Sequence, residues 1–322
     1  MRKLAVLESF FRPHHREAVD TVAARCGFSV DYYPAFGLPA ERAGEYEVIY
    51  GLPRTDVLQH ATALKWFASG SSGVDHYSPD ELYADPEHIM LTNSAGAYGT
   101  TISEHMVMVT LMLLRNMMPI LESNRDHHWR AQQPQGTIFG STVTMLGAGD
   151  IGTSFARRIK AMGASHIYGV RRSAKDADPA FDEMGTFADL PRLLPKTDIL
   201  ALALPSTPET YHILNEEMLS LLPPHAVVIN VGRGRSIDEN ALRQALVEGR
   251  IAGAALDVFV TEPLPEDSPL WETPNLLITP HVSGNMTAAV TQDKQVEMFC
   301  RNLERYAAGE PLHNLVDRKR MY

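Results

Sequence analysis

A glycine-rich hexapeptide in this 322-residue chain is spaced to receive a phosphate-bearing ligand. Gly147-Ala148-Gly149-Asp150-Ile151-Gly152 follows the strand-like run Thr142 to Leu146 and opens a helical pattern with Phe155, Ile159 and Met162 on one face. In that order the first glycine permits a tight turn and the second lets a pyrophosphate approach the backbone. The third lets helix and strand pack closely, so that the helix N-terminus faces the anion. A glycine turn that binds nothing could carry the same letters; the strand before and the helix after favour a dinucleotide. The next strand ends Tyr168-Gly169-Val170-Arg171-Arg172. An NAD site places an acid about 20 positions beyond the fingerprint, on the ribose 2'-hydroxyl. Two guanidiniums stand here instead, and their planar forks suit a 2'-phosphate, so NADP(H) is favoured over NAD(H). Solvated surface arginines are the alternative.

Such a site needs a parallel sheet beneath it. The segments Thr142 to Leu146, His166 to Val170, Ile199 to Leu204, Val227 to Asn230, Gly253 to Leu256 and Leu276 to Thr279 read as strands separated by helical patterns, which describes a doubly wound sheet. Upstream, Leu4 to Leu7, Phe28 to Tyr32, Val48 to Tyr50, Lys65 to Ala68 and Ile89 to Thr92 describe a smaller α/β lobe. Between the two, Thr100 to Met118 carries one apolar stripe (Ile102, Met106, Val109, Leu113, Met117) and a second (Val107, Leu111, Leu114), which implies one helix buried all round, in its own subunit or against a second copy. A last helical pattern from Ala288 to Ala307 has Val290, Val296, Phe299, Leu303 and Tyr306 as its apolar positions; packed back on the first lobe, it would make the second lobe an insertion.

Three segments follow the ends of later strands, the edge at which open parallel sheets bind ligands. They are Asn230-Val231-Gly232-Arg233-Gly234-Arg235, Asp257-Val258-Phe259-Val260-Thr261-Glu262-Pro263, and Thr279-Pro280-His281-Val282-Ser283-Gly284. With the glycine fingerprint, Leu204-Pro205-Ser206-Thr207-Pro208-Glu209-Thr210 and Ala255-Leu256-Asp257-Val258-Phe259, taken in this order, nearly the whole chain resembles the D-isomer-specific 2-hydroxyacid dehydrogenase family, in its NADP-preferring glyoxylate/hydroxypyruvate reductase-like branch.

That resemblance implies an α/β fold of two lobes. A Rossmann domain (99–284) is inserted into a smaller flavodoxin-like substrate domain (1–98 and 285–322). It implies Arg233, Glu262 and His281 as the catalytic set. Reducing a 2-oxo acid builds negative charge on the carbonyl oxygen, which a histidine can meet with a proton near neutral pH. A Glu262 carboxylate on the ring would orient it and favour the imidazolium that reduction consumes, while neutral His281 would act as base in the reverse direction. Arg233 would grip the carbonyl oxygen and carboxylate of the substrate together. The loop Ser69-Gly70-Ser71-Ser72-Gly73-Val74-Asp75 resembles one whose amides bind the substrate carboxylate, through Ser72, Gly73 and Val74; an ordinary glycine turn after a strand would look similar. Cofactor contacts are implied at Thr101, Gly147, Gly149, Asp150, Ile151, Gly152, Arg171, Arg172, Leu204, Pro205, Thr210, Val231, Gly232, Asp257, His281 and Gly284. A buried structural Asp could mimic the role of Asp257. Arg235 stands where many members have glycine and adds charge near the site.

Bulk properties narrow the partners. A net charge of -10 and the absence of a long basic run exclude a nucleic-acid backbone. Two distant cysteines, Cys26 and Cys300, suit a reducing compartment and read as buried structural thiols. The most apolar stretch, Met106 to Leu121, is interrupted by Arg115 and Asn116 and is too short to span a bilayer, no signal peptide is visible, and the cytoplasm is the expected location. No metal site is expected, and the partner is a small 2-oxo or 2-hydroxy acid, with a homodimer formed through the dinucleotide domain. Two alternatives on the same fold remain: a phosphite-type dehydrogenase, and a corepressor-like protein that senses the cofactor without turnover.

Overall fold

Short apolar runs alternating with amphipathic helices build two parallel sheets. The computed structural model describes residues 1–129, 134–172, 178–284 and 286–319. The chain divides into one unit of Met1–Tyr98 with Met286–Tyr322 and a second of Gly99–Asn285. Residue 285, where the sequence places the return to the first domain, lies outside the described residues.

In the first unit, β1 (Arg2–Leu7), β2 (Phe28–Tyr33), β3 (Val48–Gly51), β4 (Trp66–Ser69) and β5 (Met90–Thr92) lie in the order β2-β1-β3-β4-β5, all parallel. Both faces are covered, as a parallel sheet requires. Alternate residues of β1 serve opposite cores: Leu4 and Val6 pack with Trp66, Phe299 and Leu303, while Ala5 and Leu7 pack with Tyr46, Leu58 and Phe67. The C-terminal helix Ala289–Ala308 therefore belongs to this unit and lies against the helix Pro13–Arg25. His15 bridges the two helices. Its Nδ1 accepts the Arg12 amide (3.1 Å) and its Nε2 is 2.7 Å from Asp293 Oδ1. That arrangement commits the Nε2 proton to the carboxylate, so the neighbouring group His14, His15 and Asp293 forms a hydrogen-bonded clamp rather than a set of open metal donors. Val290, read as a core position, is 39% exposed, whereas Val296, Phe299 and Leu303 are buried. Cys300 is buried, and burial pushes its thiol up to about 12; Cys26 is only partly buried.

The second unit holds β6 (Thr142–Leu146), β7 (His166–Val170), β8 (Glu183–Gly185), β9 (Ile199–Leu202), β10 (Val227–Asn230), β11 (Gly253–Leu256) and β12 (Leu276–Ile278) in the order β12-β11-β10-β9-β6-β7-β8. The order reverses between β6 and β9, and that switch point is where a doubly wound sheet opens a crevice at its carboxyl edge. β8 has no counterpart among the expected strands. It is three residues of Glu, Met and Gly at a sheet edge, too short and too polar to announce itself.

The helix expected from Thr100 to Met118 is two helices. Gly99–Leu114 stops at Arg115, Asn116 takes a left-handed conformation (φ 49°), and Met117–Arg125 departs at 76°. Asparagine tolerates that conformation better than other side chains except glycine. Within this chain the helix is not buried on all sides, which corrects burial inside its own subunit and leaves the alternative of a second copy. Ile102, Met106, Val109 and Leu113 are buried, Val107, Leu111 and Leu114 are half-buried, and Met108 is 47% exposed. Among the described residues, no single helix is long and apolar enough to cross a membrane.

Candidate active site

The glycine fingerprint adopts the turn its residues dictate. Gly147 has φ 98°, and a Cβ there would sit 2.5 Å from the Ala203 carbonyl oxygen. Gly152 lies so close to the turn that a Cβ would meet the Gly147 oxygen at 2.2 Å. Around Gly149, by contrast, no atom lies within 4 Å of a would-be Cβ, which leaves the N-terminus of the helix Asp150–Ala161 open to an approaching anion. Asp150 at the first turn is exposed and Ile151 half-buried. Gly99 brings a neighbouring helix to the same place: a Cβ on it would strike Asp150 Oδ1 and Ser154 Oγ at 2.6 Å, and Thr101 lies two residues on, in the first turn of that helix.

Beyond the fingerprint lies a cavity of about 430 Å³, lined by Gly149, Asp150, Thr153, Ser154 and Arg157 on one side and Arg171, Asp178, Phe181 and Met184 on the other. Arg171 is half-buried at the end of β7, with its amide bonded to the Gly185 carbonyl at 3.1 Å. Arg172 is exposed, and its charge is one of the influences that hold the Glu209 carboxyl below its ordinary value, behind the Glu209 amide and the Thr207 hydroxyl. The open face at Gly149, the helix N-terminus and this cavity, whose polar lining holds two arginines and two aspartates, fit the pyrophosphate and adenosine halves of a dinucleotide. Thr153, Ser154, Arg157, Asp178, Phe181 and Met184 escaped the sequence reading. The helical spacing 150, 153, 154, 157 was the signal available for the first three.

On the loop after β9, Leu204 is buried and Pro205 exposed. Thr210 is buried, and its hydroxyl donates to the Pro205 carbonyl at 2.7 Å and accepts the Thr207 amide at 2.9 Å, so it braces the loop from within. Gly232 presses against that loop, where a Cβ would meet the Leu204 amide nitrogen at 2.6 Å. Val231 is buried and bonded to the Leu202 carbonyl at 3.0 Å.

Arg233 follows in extended backbone (φ −143°, ψ 140°), its carbonyl held by the Asn230 side chain at 2.9 Å and its own Nη1 donating to the Gly232 carbonyl at 2.9 Å. Gly234 is the contact between this loop and the next, since a Cβ would overlap the Phe259 carbonyl carbon at 2.0 Å. Glu239 reinforces it by accepting the Val260 amide at 2.7 Å. Burial raises the Glu239 carboxyl above its ordinary value, opposed by that bond. Arg235 is exposed.

Glu262 is tied back to its own loop and forward to the histidine: Oε1 accepts the Phe259 amide at 2.8 Å, and Oε2 lies 2.7 Å from His281 Nδ1. His281 sits in the left-handed region (φ 52°), an uncommon conformation for a side-chain-bearing residue. Its amide bonds to the carbonyls of Asp257 (2.8 Å) and Thr279 (3.0 Å). Asp257 holds this turn together. Buried at the end of β11, it accepts the Thr279 hydroxyl at 2.6 Å and the Val282 amide at 2.9 Å on one oxygen, and the Ser283 amide at 3.0 Å on the other. Gly284, half-buried, ends the turn. His105 reaches the Thr279 hydroxyl at 3.3 Å, and burial pushes its imidazole below the ordinary value against the pull of Asp257.

In the first unit, the loop after β4 is pinned at its start. The Gly70 amide donates to the Gly51 carbonyl at 3.0 Å, the Tyr98 hydroxyl donates to the Gly70 carbonyl at 2.6 Å, and Ser69 Oγ accepts the Ser71 amide at 3.1 Å. Val74 is buried in the core. Among the described residues, the amides of Ser72, Gly73 and Val74 have no hydrogen-bond partner. Consecutive unspent amides are the donors an anion requires.

A doubly wound sheet with a glycine fingerprint at its switch point, accompanied by a second α/β unit, defines the class: a nicotinamide-dependent oxidoreductase. Residues 107–283 match the NAD-binding domain of D-isomer specific 2-hydroxyacid dehydrogenases. The chain is 33% identical over 294 residues to glyoxylate/hydroxypyruvate reductase B of Pectobacterium carotovorum, covering 89% of this chain and 90% of that one. A D-isomer specific 2-hydroxyacid dehydrogenase family protein from Aeromonas salmonicida superposes with a TM-score of 0.86 at 31% identity, over 98% of this chain and 99% of the other. The NADPH-dependent glyoxylate/hydroxypyruvate reductase of Sinorhizobium meliloti, solved with NADP and sulfate, does so with a TM-score of 0.80 at 28% identity over the whole of both chains. The chain belongs to the D-isomer-specific 2-hydroxyacid dehydrogenase family. It is an oxidoreductase that interconverts a 2-oxo acid and a 2-hydroxy acid with a nicotinamide dinucleotide.

Proposed function

We propose that this protein is an NADPH-preferring reductase of short 2-oxo acids such as glyoxylate and hydroxypyruvate, with His281 as proton donor, Glu262 as its orienting partner and Arg233 as the group that binds and polarises the substrate. The observation that carries the assignment is the 2.7 Å contact of His281 Nδ1 with Glu262 Oε2, which commits that nitrogen's proton to the carboxylate and makes Nε2 the nitrogen that serves the substrate. The cofactor, when bound, supplies hydride to the substrate's carbonyl carbon. His281 then delivers a proton to the oxygen on which charge develops, and takes it back as a neutral base in the reverse direction. The bond between Glu262 Oε1 and the Phe259 amide fixes the carboxylate, so the ring inherits its orientation from the loop. Arg233 offers a fork able to hold a carboxylate and a polarised carbonyl oxygen at once. Three amides without partners among the described residues, at Ser72, Gly73 and Val74, suit the substrate carboxylate.

Residues 99–284 would serve the dinucleotide, and residues 1–98 with 285–322 the substrate. Preference for NADPH rests on Arg171 lining the adenosine-side cavity, on the absence of an acid at Val170 or Arg171, and on the NADP bound by the Sinorhizobium relative. In this reading Asp257 acts through the turn that carries His281, and Thr210 through its loop. A homodimer through the second unit is supported by the side chains left exposed there: Met108 (47%), Leu121 (42%), Trp129 (91%) and Phe139 (75%). A cytoplasmic location accords with two cysteines that form no disulfide.

The test is oxidation of NADPH and of NADH by the purified protein with a panel of 2-oxo acids, repeated with His281→Ala. The expected result is turnover of a short 2-oxo acid with NADPH preferred, and a loss of about 10²- to 10⁴-fold in the variant. Undiminished turnover by the variant would reject His281 as the proton donor, and equal use of both cofactors would reject the reading of Arg171 and Arg172.

A further inference from the structure

The cavity beside the fingerprint contains a second arginine, Arg157, to which the reading of Arg171 and Arg172 assigns no role in cofactor choice. Asp150, Thr153, Ser154 and Arg157 line one wall at helical spacing, and Arg157 faces the cavity that Arg171 enters from the end of β7. Phe181 and Met184 supply apolar surface to the same space. Arg157 is paired across it with Asp178 through two contacts, Nε to Oδ1 at 3.3 Å and a shorter one from Nη2 to Oδ2.

The two partners are not equally held. The Asp178 side chain is 21% exposed and its Oδ1 also accepts the Ala180 amide at 3.0 Å, whereas the Arg157 side chain is 65% exposed. The pair is bidentate but solvent-exposed on the arginine side, and a phosphate offers more charge and more acceptor oxygens than a carboxylate. Arg157 is therefore the partner better placed to exchange, and it lines the same cavity as Arg171.

We propose that Arg157 is a specificity-determining ligand of the 2'-phosphate of NADPH, acting with Arg171, and that Asp178 is its internal stand-in when that phosphate is absent. Asp178 then has a second effect: it competes with the phosphate for Arg157, so the pair sets the selectivity between the two cofactors rather than binding of the dinucleotide as such. The inference rests on the NADPH preference proposed above.

The measurement is equilibrium binding of NADPH, NADH, 2'-AMP and adenosine to the purified protein and its variants. Arg157→Gln is expected to weaken NADPH and 2'-AMP by about tenfold, the worth of a charge-assisted bond, with NADH and adenosine unchanged within about twofold. Arg157→Lys, which keeps charge and loses the fork, is expected to fall between. Asp178→Asn is expected to tighten 2'-AMP by about threefold, because it removes the competing carboxylate. A wild-type protein that binds NADPH and NADH alike would overturn the cofactor reading itself. A wild-type preference that Arg171→Ala abolishes and Arg157→Gln leaves intact would overturn the role of Arg157 alone, and an unchanged or weaker 2'-AMP affinity in Asp178→Asn would overturn the competition.

Discussion

Glu8 provides a quantitative test of how the first unit is held together. It directly follows β1, is only 6% exposed, and among the described residues its Oε1 has no hydrogen-bond partner. The carboxyl lies against Gly70, where a Cβ would come within 3.2 Å of Oε1, and the buried Tyr50 hydroxyl is likewise without a partner. Burial without a counter-ion raises the Glu8 carboxyl from 4.5 to about 7, only partly offset by a bond from the Ser9 backbone. Between those two values the native chain holds a proton that the unfolded chain has released. The fold is therefore least encumbered below the unfolded value, loses stability as pH rises, and has lost the full amount once pH passes the folded value. At roughly 1.4 kcal/mol for each tenfold change in acidity, the loss is about 3 kcal/mol. Glu8→Gln keeps the shape and removes the charge, so it should match the wild type near pH 5 and unfold several degrees higher near pH 8.5. Thermal melts of both proteins at the two pH values check this. A melting difference that is the same at both would show that Glu8 is solvated or paired, and would refute the reasoning.

Two further outcomes follow from the geometry. Glu262→Gln keeps a hydrogen-bond acceptor for His281 Nδ1 but loses the charge; kcat for reduction should fall by about 10- to 100-fold while cofactor affinity is unchanged, as steady-state kinetics with dinucleotide titration would show, and an unaltered kcat would remove Glu262 from the mechanism. Met108→Glu places a charge on the apolar surface of the second unit without disturbing its core, since Met108 is 47% exposed. Sedimentation should report a dimer for the wild type and a shift toward monomer for the variant; a wild-type monomer would dismiss the interface.

Local chemistry made much of this protein legible. β6, β7, β10 and β11 lie where short apolar runs between helical patterns put them, because a strand covered on both faces must be apolar along its length. The turn at Gly147 and Gly152 could be read for the same kind of reason: only glycine fits where a Cβ would meet backbone oxygen at 2.5 and 2.2 Å. Arg233, Glu262 and His281 could be named because they sit in short segments whose order along the chain is itself informative.

What only the tertiary structure decided depends on partners distant in sequence. The contact that orients His281 spans 19 residues, and the turn carrying it is held by Asp257, whose oxygens are committed to Thr279, Val282 and Ser283. The break at Asn116 was hidden because two apolar stripes run past it, and pattern alone does not register a left-handed residue. Arg157 and Asp178 are 21 residues apart and unremarkable where each stands; the return of the chain through β7 brings them to one cavity. Glu8 looked like any acid after a strand, and its environment exists only once β1, β3 and β4 lie side by side. Sequence patterns record which face of an element is apolar, whereas a charge acquires its chemistry from whatever packs against it, and packing is a property of the assembled chain.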